Sequence, residues 1–592
     1  MRNFLLIIIA AISLAGCKKA LEPDEENRRT VEQMYEDGGY AQGFIMNAYR
    51  SIPGYYDNSE YATDDAVTND RINPFALVAT GSWTANNNPL SVWNQSYGAM
   101  QYINLFLANV DSVKFAADKE ANTLFRMRMK GEAYGLRAMY MYFLLRAHAG
   151  FTDDGQLMGV PIITKLLTVE SPVDEYNTPR ATFAACMEQI YKDLDSAQSM
   201  LPMEYGDLNT LTGRVPDQFR SVTVNVNVYN RVMGQYSNQL FNGLIARSIR
   251  ARAGLLAASP AFQHVSNTAR WDSAANYAAA VIRHKGGANA LPNDGGTYYD
   301  NRSQIDGLSN GNNPPEMIWR ENFVGDNNEQ EIQHYPPSQF GNGRMNPTQN
   351  LVDAFPMANG YPISSNLSNY DPANPYAGRD PRLAKYIVYN GNTVGFNNPV
   401  ILTGSGSGSD DGINVRTNST RTGYYMKKRL RQDVNRRPGA TANRRRYYPR
   451  IRYTEIYLNY AEAANEAWGP TNGGTNAFSA YDVIKAIRRR AGVGTTNGDA
   501  YLEACKNDQN LMRELIRNER RLELCFESFR FWDLRRWKAS LNETARGMDV
   551  NAAVYTPIVV EPRVFEDYMY YGPIPFSEVL KFSNLKQNRQ WR

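Results

Sequence analysis

Leu515-Ile516-Arg517-Asn518-Glu519-Arg520-Arg521-Leu522-Glu523-Leu524, running through Cys525-Phe526-Glu527-Ser528 into Phe529-Arg530-Phe531-Trp532-Asp533-Leu534-Arg535-Arg536-Trp537, is the stretch on which the fold turns. With Glu514 before it, the charges at Glu514, Arg517, Arg520, Glu523 and Glu527 recur every three or four positions, the spacing of helix-surface ion pairs. Leu515, Leu522 and Phe526 add an apolar stripe. A helix over about Asn510 to Phe529 is expected, serving as scaffold. Glu519 and Glu523 also admit a rival reading, as the paired acid and nucleophile or base of a glycoside hydrolase. Arginines surround both and would hold them ionised, which suits ion pairing and works against the raised pKa of a general acid. No residue is assigned a catalytic role.

Outward from this stretch, helical apolar spacing dominates. It covers about Val31–Ser51, Val92–Val110, Leu124–His148, Ala181–Met200, Gln239–Ala258, Trp271–His284, Thr454–Trp468 and Ala477–Ala491. Small residues sit among aromatic ones at Ala133, Ala138, Tyr140 and Phe143, and again at Tyr460, Ala461, Ala464 and Ala467. Such mixtures let paired helices approach closely, as tetratricopeptide units do. From about Lys285 to Thr422 the chain instead favours Gly, Asn, Pro and Tyr, with a Gly-Ser alternation at Gly404–Ser409. The expected fold is therefore mainly α: a scaffold of tetratricopeptide-like helix pairs carrying a large, irregular, loop-rich region where ligands bind. After a short N-terminal segment, one domain over 31–592 is expected, with a helical part 31–284, an irregular region 285–450 and a second helical part 451–592.

Residues 1–16 read as a lipoprotein signal peptide. Arg2 precedes a short apolar run, and Leu14-Ala15-Gly16-Cys17 supplies small residues before a cysteine, while Phe4–Leu14 is too short to span a bilayer. Cleavage before Cys17 would leave that residue to carry acyl chains, each buried CH₂ adding about 0.8 kcal/mol of membrane affinity. Residues 17–30 then form a lipid-anchored tether. Its acidic run Glu22, Asp24, Glu25 and Glu26, behind Lys18 and Lys19, resembles the signal that sends lipoproteins to the outer face of an outer membrane.

A chain of 592 residues, 43% hydrophobic, can bury a large core. Its formal charge of +4 is close to balance and argues against nucleic acid as a partner. The basic runs Lys427-Lys428-Arg429 and Arg444-Arg445-Arg446 are expected to meet acidic headgroups, a partner protein or solvent. Besides Cys17 there are Cys186, Cys505 and Cys525, too scattered for a disulfide framework, and Cys525 reads as a small buried hydrophobe. His148, His264, His284 and His334 lack metal-ligand spacing, and Asp410-Asp411-Gly412 reads as a turn before a calcium ligand, so no metal or cofactor is expected. With 38 tyrosines the composition suits polar-aromatic contact surfaces.

The 515–537 stretch closely resembles the C-terminal signature of the SusD/RagB family. Supporting it are Arg452-Tyr453-Thr454-Glu455-Ile456-Tyr457-Leu458-Asn459-Tyr460-Ala461-Glu462-Ala463, Leu351-Val352-Asp353-Ala354-Phe355, Arg379-Asp380-Pro381-Arg382-Leu383, Pro573-Ile574-Pro575 and Gln587-Asn588. The resemblance implies a SusD-like fold and a surface lipoprotein that binds glycan and delivers it to a SusC-like TonB-dependent transporter of the outer membrane. The alternatives are a peptide-capturing RagB-like member, a surface glycosidase and a purely structural scaffold. It implies a shallow site built by an N-terminal loop and the irregular region. In the loop, which contains Asp64, Asp65 and Asn86-Asn87-Asn88, the candidates are Asp70, Arg71, Trp83 and Asn86, with Trp83 as a platform for a sugar face beside an amide. Tyr298, Tyr299 and Trp319 are the candidates from the second region, although Trp319 lies in a strand-like run that suits burial. Trp93, opening a helix, reads as core.

Overall fold

The computed structural model describes residues 29–309 and 311–591. The signal peptide, Cys17 and the tether up to residue 28 lie outside the described residues. The long helices are α1 (Gly38–Arg50), α2 (Trp93–Asn109), α3 (Lys119–His148), α4 (Phe183–Met200), α5 (Gly243–Ala258), α6 (Trp271–Lys285), α7 (Tyr453–Trp468), α8 (Ala480–Ala491), α9 (Gln509–Glu523) and α10 (Arg530–Trp537). Asp118, Thr182, Asn242 and Asp508 cap α3, α4, α5 and α9 through side-chain oxygens, and Ser479 with Asp482 forms a capping box on α8.

Each helix packs on the next in a continuous row from α1 to α6, and α7, although distant in sequence, packs on α6 before α8 and α9 pack on α7. The stack is therefore unbroken, and the irregular region is an excursion from it. Small residues set the spacing. Ala274, Ala275, Ala278 and Ala279 of α6 are buried, as are Ala461, Ala463 and Ala464 of α7. At Gly135 of α3 any Cβ would collide with the ring of Phe241, so that contact requires glycine. The mainly α, tetratricopeptide-like reading holds.

The excursion has little regular structure: antiparallel ladders of Ala66–Thr68 with Met345–Pro347, Met317–Arg320 with Pro449–Arg452, and Ile387–Val388 with Tyr425–Met426. Ala545–Asn551 and Val554–Glu561 form a hairpin beyond α10. Its own apolar core gathers Tyr335, Leu351, Phe355, Tyr386, Ile401 and Tyr425. Among the described residues no helix is long and apolar enough to cross a membrane.

The 515–537 stretch joins the two cores. Met512, Leu515 and Ile516 face the helical core, whereas Leu522, Cys525 and Phe526 belong to that of the irregular region. The structure corrects the expected helix here: α9 ends at Glu523, and Phe526 and Ser528 take left-handed backbone with φ of 62° and 64° before α10 starts. That break turns Glu527 inward, where its carboxylate meets Lys428 Nζ at 2.6 Å and Arg452 Nε at 2.7 Å.

The charges are likewise not helix-surface pairs, Arg517–Glu514 at 3.7 Å excepted. Glu519 bonds Arg382 (2.8 Å) and Arg488 (2.7 Å), and Glu523 bonds Arg382 (2.9 Å) and Arg490 (2.6 Å). Arg452 reaches Glu316 at 2.7 Å, and Arg382 also holds Asp380 at 2.6 Å. All are buried. Burial pushes the Glu523 carboxyl up, but Arg490, Arg382, Arg452 and Lys428 outweigh it and bring its pKa down to about 2. Glu519 is held below the usual range against the same burial effect by Arg382 and Arg488. Neither carboxyl is poised to donate a proton near neutrality.

The basic runs turn inward too. Lys428 is fully buried, Arg429 lies over the Tyr56 ring at 4.0 Å and donates to Phe526 O, Arg446 pairs with Glu331, and Arg445 covers Phe323. Lys427, Arg444 and Arg445 are half-buried, and Arg444 pairs with Asp433 at 3.2 Å.

Removing one partner from a buried pair strands the others, so Glu523→Gln is expected to cost about 3–5 kcal/mol and to lower the thermal midpoint at pH 7. Because the folded pKa of Glu523 is depressed, its stabilisation is present above the unfolded carboxylate range and is lost as pH falls toward about 2. Thermal scans at pH 7, 4.5 and 3 should show the wild-type midpoint dropping in acid and the variant approaching it; a gap that persists at low pH would contradict this role.

Candidate functional site

The ladder of Ala66–Thr68 with Met345–Pro347 ends where Thr68 faces Met345. Beyond that end, residues 69–72 and 342–344 leave side by side and meet a third segment, 414–421. Together they line an open groove of about 1120 Å³. Its rim carries Asn69, Asp70, Arg71, Ile72, Asn342, Arg344, Asn414, Val415 and Asn418.

Asn69 ties the three segments together. Its amide nitrogen donates to Asn342 O (2.9 Å) and Gly343 O (3.1 Å) and lies 3.4 Å from Ser419 O, while Oδ1 accepts from Arg344 Nη1 (3.1 Å). From beneath, buried Arg421 donates to Thr68 O (2.9 Å) and to Glu561 Oε2 (2.8 Å). Asn418 Nδ2 donates to Gly341 O at 3.1 Å. Gly343 has φ of +56°, and a Cβ there would run into the carbonyl oxygen of Asn418, so the close approach of 343 to 418 requires glycine.

The position of the groove traces back to the 515–537 stretch. Arg521 and Arg530 both reach Asp64 at 2.8 Å, and Arg521 reaches Asp65 at 2.6 Å. Tyr55 donates to Glu527 Oε2 at 2.9 Å, and Asp57 N donates to Ser528 Oγ at 2.7 Å. Residues 55–65 are thus clamped to the end of α9 and the start of α10, and the next residues form the strand that ends at the groove. Burial raises the Asp64 carboxyl, but Arg521 and Arg530 more than reverse this and hold it well below its ordinary value. Asp64 and Asp65, members of the loop expected to carry the site, are braces for it.

Among the residues expected to touch ligand, Asp70 and Arg71 line the groove. Asn86 is exposed but lies outside its lining. Trp83 is a correction. At 2% exposure it donates from Nε1 to Asn88 Oδ1 (3.0 Å), packs edge-on against Trp591 (4.8 Å between centroids) and Phe531, and has Arg535 over its ring. No face is left for a sugar. Trp319 is also buried: its indole donates to Gln239 O at 2.8 Å, and Tyr49 and Phe241 meet it edge-on. Tyr298 is buried with its hydroxyl 2.9 Å from that of Tyr56, and Tyr299 is half-buried against it. Trp93 is core as expected. Asp410-Asp411-Gly412 forms a turn: Asp411 Oδ1 accepts from Ser338 N, Gly412 N donates to Ser409 O, and Asp410 pairs with Arg416.

Asn69, Asn342, Arg344 and 414–418 were not expected. The legible signal was two short polar runs without aromatics, Gly341-Asn342-Gly343-Arg344 and Asn414-Val415-Arg416-Thr417-Asn418, inside the region already marked as irregular.

Known proteins match most of the chain. A profile of the SusD family matches residues 306–591, and one described as starch-binding associating with outer membrane matches residues 28–214. A SusD-like protein of Formosa agariphila is 33% identical over 144 residues, spanning 24% of this chain and a quarter of that relative's length. Among solved structures, a SusD-like protein of Bacteroides fragilis superposes with a TM-score of 0.71 at 23% identity, covering 94% of this chain and 98% of its own. A SusD-like carbohydrate-binding protein of the same species gives 0.68 at 21% identity, covering 94% and 100%. A laminarin-binding SusD-like protein gives 0.56 at 18%, covering 94% and 99%.

Trp83→Ala is expected to remove a structural pin, lowering the thermal midpoint by an amount equivalent to about 3–5 kcal/mol, with ligand affinity unchanged in the fraction that stays folded. Selective loss of binding at unchanged stability would restore Trp83 as a platform. Gly343→Ala should force 342–344 away from Asn418 at a cost of about 1–3 kcal/mol. Hydrogen exchange should then quicken across 341–345 and 414–421, and unaltered exchange there would show that the groove does not depend on this contact.

Proposed function

The chain belongs to the SusD/RagB family, and from that premise we propose that it is a cell-surface lipoprotein that captures glycan in the 69–72/342–344/414–421 groove and passes it to a SusC-like TonB-dependent transporter. The groove itself is the observation that carries this reading. It is open and large enough for several sugar units, it is built from an N-terminal loop and the irregular region, and amide, hydroxyl and guanidinium groups line it. Carbohydrate-binding and laminarin-binding relatives of the same fold lend support. The protein binds and hands over without cleaving: Glu519 and Glu523 are sealed in ion pairs with Arg382, Arg488 and Arg490, out of reach of any polymer. Acylation at Cys17 tethers it to the outer membrane, facing outward, and holds it near the transporter at high effective concentration, so that modest direct affinity suffices for hand-over.

A glycan array probed with the full-length chain in detergent should give binding to at least one polysaccharide. Asn414 is exposed with left-handed backbone, so Asn414→Gly removes its amide while keeping the turn. Affinity for that polysaccharide should fall about tenfold, the equivalent of one polar contact of roughly 1.4 kcal/mol, by calorimetry. Retention of peptides with no glycan bound would replace this reading by peptide capture.

A further inference from the structure

The groove is lined by Arg71, Arg344, Arg416 and Arg421 and by one carboxylate, Asp70. Two of the arginines are already matched. Arg421 is buried against Glu561, and Arg416 pairs with Asp410 at 2.7 Å. Arg71 and Arg344 have no carboxylate of the described residues within the 4.0 Å of an ion pair. Arg71 is exposed, with its whole guanidinium available. Arg344 spends one N–H on Asn69 Oδ1, which fixes the direction of its fork and leaves the remaining donors free. With the matched pairs cancelled, two guanidinium groups remain against Asp70.

The apolar part of the lining is equally informative. Ile72 and Val415 are its hydrophobic side chains, both exposed, and none of the described residues lining it has an aromatic ring on which a sugar face could stack. Recognition must then come from hydrogen bonds and charge. A neutral glycan would leave two guanidinium groups unmatched. A carboxylate or a sulfate offers each of them two oxygens in the geometry that a planar fork matches, through shorter and stronger charge-assisted bonds.

We propose that the cargo of this groove is an anionic glycan, whose uronate carboxylates or sulfate esters are gripped by Arg71 and Arg344 while Asp70 and the amides of Asn342 and Asn414 accept and donate hydrogen bonds to its hydroxyls. This rests on the reading of the groove as a glycan site and specifies the class of glycan. The groove is open to water, so the attraction is screened and binding weakens as salt rises.

Affinity electrophoresis of the full-length chain in detergent tests it with polygalacturonate and a sulfated galactan, each beside its carboxyl-reduced or desulfated counterpart, and with polyglutamate. At least one anionic glycan should retard the protein about tenfold more strongly than its neutral counterpart, and 0.5 M salt should abolish most of the difference. Arg71→Gln and Arg344→Gln should each weaken that binding about tenfold, with Arg344→Lys losing less. Arg71 is exposed and its side chain makes no hydrogen bond or ion pair among the described residues, so its variant should keep the wild-type thermal midpoint. Retardation by the neutral counterparts equal to that by the charged polymers, or indifference to both arginine substitutions, overturns the anionic assignment and leaves glycan capture standing. Retardation by polyglutamate alone overturns both.

Discussion

The buried ion network around Glu519, Glu523 and Glu527 is the constraint on which the rest of the structure depends. Glu519 and Glu523 lie at the end of α9 and Glu527 just beyond it, and their partners come from three other segments: Arg382 and Lys428 from the irregular region, Arg452 from the strand before α7, Arg488 and Arg490 from α8. Burying so many charges is expensive, and the cost is met only when all the partners are in place. The network therefore forms as a unit or not at all. Hydrophobic contact alone would let the irregular region slide on the helical stack, since apolar burial is not directional. Paired guanidinium and carboxylate groups fix one arrangement.

That fixed arrangement is passed on to the groove. Arg521 and Arg530, next to the network, hold Asp64 and Asp65, and the chain then has three residues of strand before Asn69. On the other side Lys428 and Arg429 anchor the segment that follows 414–421 through Glu527, Glu523 O and Phe526 O. Both walls of the groove are thus tied to the same ten residues of α9 and its extension. Lining side chains that make no contact with the core are free to differ without disturbing this frame, which is how one scaffold can serve many ligands.

The helical stack was legible because it obeys a period. Helices predicted over Trp271–His284 and Thr454–Trp468 end within a residue of their observed limits, and the small residues Ala461 and Ala464 of α7, where it meets α6, stood out in the sequence. The charges of 514–527 were legible as helical and misleading as to burial. Periodicity reports which face a residue occupies, and it says nothing about what later packs over that face. Glu523 and Arg520 share the spacing of an exposed pair, yet Arg520 bonds Asp533 at 2.7 Å and Glu523 bonds Arg490. The groove was legible in part. Asp70 and Arg71, which line it, were expected because an N-terminal loop was read as carrying ligand contacts, while Arg344 and Asn69 depend on a strand pairing between residues almost three hundred positions apart, which no local pattern encodes.

The aromatic candidates failed for a reason that also explains the composition. An irregular backbone leaves carbonyl groups without ladder partners, and a buried carbonyl must be satisfied by some donor. Tyrosine and arginine reach farthest, and this chain uses them so. Tyr447 donates to Tyr298 O, Tyr457 to Gly287 O, Tyr205 to Phe241 O and Tyr571 to Ala261 O. Arg379 serves Val352, Phe355 and Pro375, and Arg563 serves Thr63 and Ala66. Abundant tyrosine beside loop-rich sequence therefore signals the internal needs of loops before it signals a contact surface. The residues left for a ligand are those whose side-chain amides the backbone does not recruit, Asn342 and Asn414, and the two arginines, Arg71 and Arg344, that have no acid partner among the described residues.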